Sequence, residues 1–174
     1  CHIKAITVNT KEKNSRSLER TLLLDRAKTV GPEIATYSEL AEEKRHLPNE
    51  VIRAFQKSGI HRILQPKNYG GAGAHFSAMV DIVELISQAC SAAGWCLTQY
   101  ISHNCLIGYW PEEAQNDVWG RNPNAIVAGV VIPSCGTARK CSGGWSLSGQ
   151  WPFASGIDGA DWFIAAAFTE EESA

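Results

Sequence analysis

The chain has 174 residues, of which 44% are hydrophobic and 20% are charged, values typical of a globular protein rather than of a disordered one. No apolar run approaches the ~20 residues that a membrane-spanning helix needs, and the first 14 residues lack the apolar core of a signal peptide. We therefore expect a cytoplasmic protein without a membrane segment.

The net charge of −2 is unevenly distributed. Residues 1–60 contain 11 Lys and Arg against 8 Asp and Glu, whereas residues 61–174 contain 5 against 10. Five of the six tryptophans follow residue 100, so the aromatic-rich half of the chain is acidic. Nucleic-acid binding pairs aromatic side chains with a basic groove, and this distribution argues against it. The six cysteines include no Cys-x-x-Cys pair, which favours reduced thiols over a metal site or a disulfide scaffold.

The first 120 residues or so have helical periodicity. A helix is predicted from about Ser15 to Lys44, kinked or split at Gly31-Pro32, because proline lacks an amide hydrogen and clashes with the preceding turn. Gly94 is expected to separate a long amphipathic helix from an apolar segment that is too uniformly hydrophobic for a surface helix. After the first helix, helical segments are predicted over residues 49–59, 75–93, 95–109 and 111–120.

After Asn122-Pro123 the pattern changes to that of strands. Three strand-like runs, Ala125–Ile132, Trp145–Trp151 and Asp161–Phe168, are separated by turns that contain Gly and Ser. Three strands make a poor free-standing domain because so small a sheet buries little apolar surface. We therefore expect the chain to be a fragment of a longer protein.

These elements predict an α+β fold in which an all-α helical domain is followed by the start of an antiparallel β-barrel or sandwich domain. The expected divisions are a disordered segment or tail at residues 1–14, the helical domain at 15–122 and the incomplete β domain at 123–174.

The most informative stretch is Trp151–Ala160, which brings Trp151, Phe153 and then Ser155 to one turn. Aromatic faces can press against a flat cofactor while a short hydroxyl side chain meets a ring nitrogen. Considered alone, however, such a stretch is more often part of a protein core. The residues by themselves leave both interpretations open.

Three further segments have a functional and a structural interpretation. The small residues of Ile132–Ala138 let backbone amides approach a ligand, but they also suit a plain β-turn. His103 is a polar residue in an apolar segment, where a buried histidine usually bonds to its surroundings. Tyr69–Gly73 lacks the strand, spacing and lysine of a phosphate-binding loop and suits a turn between helices. No nucleophile motif or carboxylate pair supports hydrolase chemistry.

Six motifs follow one another in a fixed order between about Ala27 and Phe168. They are Arg45–Pro48, Ser58–Gly71, Ala93–Trp95, Trp110–Gln115, Val118–Gly120 and Ser142–Gly156. Their order and spacing resemble the N-terminal half of the acyl-CoA dehydrogenase fold and, within it, the flavin-dependent monooxygenases of two-component systems. That fold implies a C-terminal helical bundle, which is missing from this chain.

The resemblance also implies a flavin site. Dehydrogenases of this superfamily carry Trp-x-Thr beside the flavin, whereas this sequence has Phe153-x-Ser155 followed by Gly156, as the hydroxylase branch does. The match assigns Ser155 to flavin N5 and His103 to the substrate hydroxyl as catalytic residues. The cofactor-binding residues that it implies are Ile132, Pro133, Ser134 and Gly136 at the pyrimidine edge, Trp151 and Phe153 at the ring face, and Ser155.

The activity implied by the resemblance is hydroxylation of a small aromatic or related apolar substrate. A separate flavin reductase would supply reduced FMN or FAD, which reacts with O₂ to give a C4a-hydroperoxyflavin. The resemblance implies a homotetramer for the full-length protein, and this chain is expected to be too short for activity alone. An acyl-CoA dehydrogenase or oxidase and a truncated, non-catalytic relative are the alternatives.

Overall fold

The computed structural model of the chain describes residues 10–170, and side chains from residue 17 onward apart from that of Ser134. Residues 1–9 of the expected tail lie outside this range, and residues 10–14 form the start of the first helix. No helix in the described range is long and apolar enough for a bilayer crossing. The helices are α1 (Thr10–Ala35), α2 (Ser38–Lys44), α3 (Asn49–Ser58), α4 (Ser77–Ala89), α5 (Ser91–Ile107) and α6 (Glu112–Trp119).

Short strands follow the helices, so the chain has an α+β fold as predicted. The strands are β1 (Val127–Val130), β2 (Gly136–Cys141), β3 (Gly144–Gly149), β4 (Trp162–Ala165) and β5 (Phe168–Thr169). The sequence pattern missed β2, because its small and charged residues lack the apolar alternation of a half-buried strand. The run predicted over residues 161–168 is divided between β4 and the start of β5.

The strand pairings differ in part from the antiparallel arrangement that the sequence predicted. Strands β2 and β3 pair antiparallel, with Ala138 opposite Leu147. Strands β1 and β4 pair parallel, as do β2 and β5, so the expectation is wrong for two of the three described pairings. Pairing direction depends on contacts between distant segments and leaves no trace in local periodicity.

Two helix breaks also lie elsewhere than predicted. Helix α1 continues through Gly31-Pro32 to Ala35, because Pro32 stands in its last turn and removes little of the hydrogen-bond ladder. The second break is at Cys90, whose backbone is extended (φ −158°), rather than at Gly94. Gly94 lies inside α5, where a Cβ would overlap Ser87 of α4. This glycine therefore allows close helix packing.

Helix α5 takes part in both hydrophobic clusters of the described structure. Its Leu97, Tyr100 and Ile101 are fully buried in the main cluster, which α1, α3 and α4 complete. Near its C-terminal end, Ile107 joins a second cluster that reaches Trp119 of α6 and the first strand. The prediction that this apolar segment is not a surface helix is confirmed.

A group of buried polar side chains connects the helices to the segment that enters β1. The Asn104 side chain donates to the His61 carbonyl (3.0 Å), and His61 Nδ1 donates to the Phe55 carbonyl (3.0 Å). Gln65 Nε2 donates to the carbonyl of Pro123 (3.0 Å). His61 Nε2 has no hydrogen-bond partner among the described atoms, and burial lowers the pKa of His61 to about 4.

We expect acid to destabilise the fold through His61. Its pKa of about 4 in the folded chain lies below the ordinary value of 6.5, so the unfolded chain takes up the proton first as the pH falls. The stabilisation is present above pH ~6.5 and is lost between that pH and ~4, by about 3 kcal/mol in total. Urea unfolding of the full-length protein at several pH values measures this loss.

The matched variants are His61→Gln and, as a control, His46→Gln, which changes an exposed histidine. The first is expected to flatten the dependence of unfolding free energy on pH, and the second is expected to leave it unchanged. An equally steep dependence in His61→Gln and the wild type would contradict the assignment.

Candidate functional site

Residues 151–160 form a turn, and the strand before it is shorter than the run predicted over Trp145–Trp151. Strand β3 ends at Gly149, and the turn contains a single 3₁₀ turn at Ile157–Gly159. Phe153 has φ 59° and Gly156 has φ 78°, so two residues of the turn lie in the left-handed region. A bulky residue seldom adopts this conformation. The Phe153 side chain is 94% exposed.

Helix α5 holds this turn through two side chains. The indole Nε1 of Trp95 donates to Ser155 Oγ (2.8 Å), and the hydroxyl of Tyr100 donates to the carbonyl of Gly156 (2.8 Å). The Tyr100 ring also occupies the space where a Cβ on residue 156 would stand. The position of Ser155 therefore depends on α5.

A cavity of about 520 Å³ lies between this turn and the connection from α2 to α3. Its volume falls within the range of small-molecule sites. One part of its wall is aromatic, and both cationic and acidic side chains line the rest. The lining includes Glu42, Arg45, His46, Trp95, Tyr100, Phe153, Ser155 and Asp158.

His103 lies on α5 about two turns beyond Trp95 and is 5% exposed. Its Nδ1 donates to the carbonyl of Val127 in β1 (3.2 Å). A carbonyl only accepts, so this bond places the proton on Nδ1 and leaves a lone pair on Nε2. Nε2 is 3.3 Å from the point where a Cβ on Gly129 would stand. Burial lowers the pKa of His103, so the ring is neutral at pH 7 and Nε2 can accept a proton.

Trp151 packs within the β region and does not line the cavity with Phe153 and Ser155. Its Nε1 donates to the carbonyl of Ala166 (2.8 Å), and its ring meets Phe163 edge-on with centroids 6.4 Å apart. The same ring covers Gly136, where a Cβ would overlap it. Its contacts support the sheet, as core packing would.

The remaining predicted cofactor-binding residues lie near the start of β2. Ile132 and Pro133 are exposed, and Ile132 shows 59% of its surface. Of Ser134, the structure describes the backbone alone, in the 3₁₀ turn Pro133–Cys135. The predicted site residues thus occupy three places: the turn with the cavity, the α5–β1 contact at His103, and the Ile132–Gly136 segment with Trp151.

Trp95 and Tyr100 help to build the site, but the sequence did not reveal this role. Trp95 belongs to the motif Ala93–Trp95, but the motif does not indicate what its side chain contacts. The available signal was that Trp and Tyr each carry one polar group that usually finds a partner when the ring is buried or half-buried. Which partner they find depends on tertiary contacts, and the turn lies 55 or more residues further along the chain.

The described residues suit a flat ring with polar edges. Trp95 donates to Ser155 Oγ, so the Ser155 hydrogen is available to another acceptor. Its other described contact, to the carbonyl of Phe153, is 3.5 Å long and therefore weak. The exposed phenyl of Phe153 adds an apolar face beside this hydroxyl. This donor and this face match the needs of an isoalloxazine ring.

Comparison with known proteins finds hydroxylases among the relatives of this chain. The chain is 39% identical over 126 residues to the protein named FADH(2)-dependent resorcinol hydroxylase, oxygenase component, from Rhizobium sp. (strain MTP-10005), covering 72% of the chain and 31% of that relative. It is 34% identical over 155 residues to a pigment production hydroxylase from Rhodococcus sp. (strain ATCC 21145), covering 89% of the chain and 40% of the relative.

A solved structure has the same fold. XiaF from Streptomyces sp., in complex with FADH2 and glycerol, superposes with a TM-score of 0.87 and 29% identity, over 92% of this chain and 40% of that protein. The chain thus spans between about a third and two fifths of the length of these proteins.

The sequence profile of one family covers most of the helical region. The profile described as acyl-CoA dehydrogenase, N-terminal domain, matches residues 19–121, which run from the middle of α1 to just past α6. On this match, the chain belongs to the acyl-CoA dehydrogenase N-terminal domain family, and its relatives include oxygenase components of flavin-dependent monooxygenases, as the sequence motifs predicted.

Proposed function

We propose that this chain is the N-terminal part of the oxygenase component of a two-component flavin-dependent monooxygenase. The protein would hydroxylate an aromatic or related apolar substrate with O₂. When bound, the reduced flavin supplies the oxygen-transferring chemistry, through a C4a-hydroperoxyflavin, while the protein binds, orients and excludes water. The observation that carries the proposal is the Ser155 hydroxyl, which accepts a bond from Trp95 and keeps its own hydrogen for a ring nitrogen.

Ser155 is the central group of the proposed site. Its Oγ would donate to flavin N5 and so discourage the early loss of peroxide. The bond from Trp95 (2.8 Å) fixes the oxygen and directs its lone pair towards the indole, which leaves the hydrogen pointing elsewhere. A preorganised donor of this kind acts without reorganisation at the moment of reaction.

Exposed apolar side chains suit contact with the ring. Phe153, proposed for the ring face, is 94% exposed, and a flat ligand that covers it removes apolar surface from water. The segment of residues 132–136 would meet the pyrimidine edge, where Ile132 is 59% exposed. The resemblance also proposes Trp151 for the ring face, although its described contacts are with the sheet.

His103 is the proposed acceptor for the proton of a phenolic substrate. Its Nδ1 is committed to the Val127 carbonyl, so its Nε2 carries the lone pair. Because burial lowers its pKa below the ordinary value, the neutral form predominates at pH 7. Taking up the phenol proton would make the aromatic ring more nucleophilic towards an electrophilic oxygen.

The proposal extends to the partners of the whole protein. A separate flavin reductase would deliver reduced FMN or FAD through a transient encounter in the cytoplasm. The full-length protein would be a homotetramer. Residues outside this chain would complete the substrate pocket, since the chain spans only 31% and 40% of the two relatives described.

Replacing Ser155 with alanine is expected to uncouple oxygen consumption from hydroxylation. In the full-length protein loaded with reduced flavin, the rate of H₂O₂ release should rise by about tenfold or more, because one preorganised donor is lost. A peroxidase-coupled assay after rapid mixing with O₂ measures this rate. Ser148→Ala, which changes an exposed serine on β3, is the matched control.

An unchanged rate of H₂O₂ release in Ser155→Ala would contradict the role of Ser155. The dehydrogenase alternative has its own signature: acyl-CoA would reduce the bound flavin without any reductase. Anaerobic mixing with acyl-CoA, followed by flavin absorbance, separates the two activities.

Replacing His103 with asparagine is expected to lower hydroxylation without weakening flavin binding. Asparagine keeps a donor for the Val127 carbonyl but removes Nε2, so kcat for resorcinol or another hydroxylated phenol should fall by about a hundredfold. Product yield and H₂O₂ are measured together with the Kd for reduced flavin. His75→Asn, at an exposed histidine, serves as the control. Full hydroxylation by His103→Asn would remove His103 from the mechanism.

A further inference from the structure

Resting on the proposed role of Ser155, we propose that Tyr100 is a positioning residue whose ring and hydroxyl hold the turn 153–156 in the conformation that presents the Ser155 hydroxyl to the flavin. Tyr100 does not itself touch the reacting atoms in this proposal. It acts through the backbone of Gly156, the residue next to Ser155.

The turn needs an external support. Phe153 adopts a left-handed conformation (φ 59°) that L side chains disfavour, and its side chain is 94% exposed, so little packing within the described residues offsets the cost. Within the turn, the amide of Ser155 donates to the carbonyl of Phe153 (2.8 Å) and the amide of Ile157 to that of Ala154 (3.1 Å). Backbone strain of this kind persists where the surroundings fix the conformation.

Tyr100 provides that support at the residue after Ser155. Its hydroxyl donates to the Gly156 carbonyl (2.8 Å), and its ring fills the space in which any Cβ at position 156 would stand. Gly156 has φ 78°, so both its conformation and its contact with Tyr100 require glycine. The turn and the tyrosine therefore fit each other through one hydrogen bond and one close packing contact.

The rigidity of Tyr100 comes from the main core. It is fully buried, and its ring meets Phe55 of α3 edge-on, with centroids 6.3 Å apart and an interplanar angle of 73°. Trp95, the other side chain that bonds to the turn, is 59% exposed and has less packing to fix it. Burial raises the pKa of the Tyr100 phenol above its ordinary value, so the hydroxyl is a donor at every physiological pH.

Two side chains of α5 therefore position Ser155. Trp95 orients the Ser155 oxygen, and Tyr100 fixes the adjoining peptide. Without the Tyr100 hydroxyl, the Gly156 carbonyl keeps only the bond from the Gly159 amide (3.2 Å) among the described residues, and the turn loses its hydrogen bond to the core at the residue next to Ser155. The hydrogen bond to flavin N5 would then form in a smaller fraction of molecules, and peroxide would leave faster.

The test compares Tyr100→Phe with Tyr109→Phe in the full-length protein. The first removes the hydroxyl and keeps the ring, and the second makes the same change at a tyrosine that is 85% exposed. Protein loaded with reduced FMN, and separately with reduced FAD, is mixed with O₂ in the absence of substrate, and the rate constant of H₂O₂ release is measured. The Kd for each reduced flavin and amide hydrogen exchange over residues 153–157 of the flavin-free protein are measured in parallel.

Tyr100→Phe is expected to raise the rate constant about three- to tenfold, the effect of one ordinary hydrogen bond. Exchange in the turn should become faster, while the Kd stays within about twofold of the wild type. Tyr109→Phe should change none of these quantities. A merely destabilised protein would show a smaller active fraction, but the rate constant of the remaining complex would not move.

The possible failures are distinguishable with Ser155→Ala in the same assay. If Ser155→Ala accelerates H₂O₂ release and Tyr100→Phe does not, the positioning role is overturned and the proposed function stands. If neither variant accelerates it, the role of Ser155 fails and this inference fails with it. Should Tyr100→Phe not fold, Gly156→Ala tests the same contact from the turn side, with the same acceleration expected and an unchanged rate constant as the contradicting result.

Discussion

The hydrogen bonds from α5 to the turn at residues 153–156 are the constraint on which the candidate site depends. Helix α5 belongs to both hydrophobic clusters, so its side chains are fixed relative to the helices and to β1. Tyr100 carries this rigidity to the turn, where the more exposed Trp95 donates to Ser155, and His103 bonds to the carbonyl of Val127. The hydroxyl and the imidazole of the proposed chemistry are therefore positioned by one element.

The turn of the candidate site is exposed and strained, although a buried helix supports it. Phe153 keeps a left-handed backbone and an exposed phenyl, both unfavourable in an isolated protein. A flat ligand on this face would bury the phenyl and offset part of that cost. Because the left-handed backbone of Phe153 is costly, the buried Tyr100 supports the turn in addition to the short backbone bonds within it. Sites that need one fixed geometry commonly store strain in this way, with the surrounding packing as its support.

Much of the helical region could be predicted from the sequence, because periodicity reports which residues are buried. The apolar character of α5 followed from local patterns, whereas the role proposed for Ser155 came from a resemblance of ordered motifs to a known family. The break at Cys90 could not be predicted, since Gly94 looks like a helix breaker until its contact with Ser87 is known. The parallel pairings and the packing of Trp151 also depend on distant partners. The sequence thus suggested candidate groups, and tertiary contacts determined how these side chains are held.

A structure of the full-length protein with bound reduced flavin tests the central claim most directly, through the distance between flavin N5 and Ser155 Oγ. We expect a hydrogen bond of about 2.6–3.2 Å, with Trp95 still donating to the same oxygen and the ring lying against Phe153. A flavin whose N5 bonds to another residue, with Ser155 beyond hydrogen-bond reach, would contradict it.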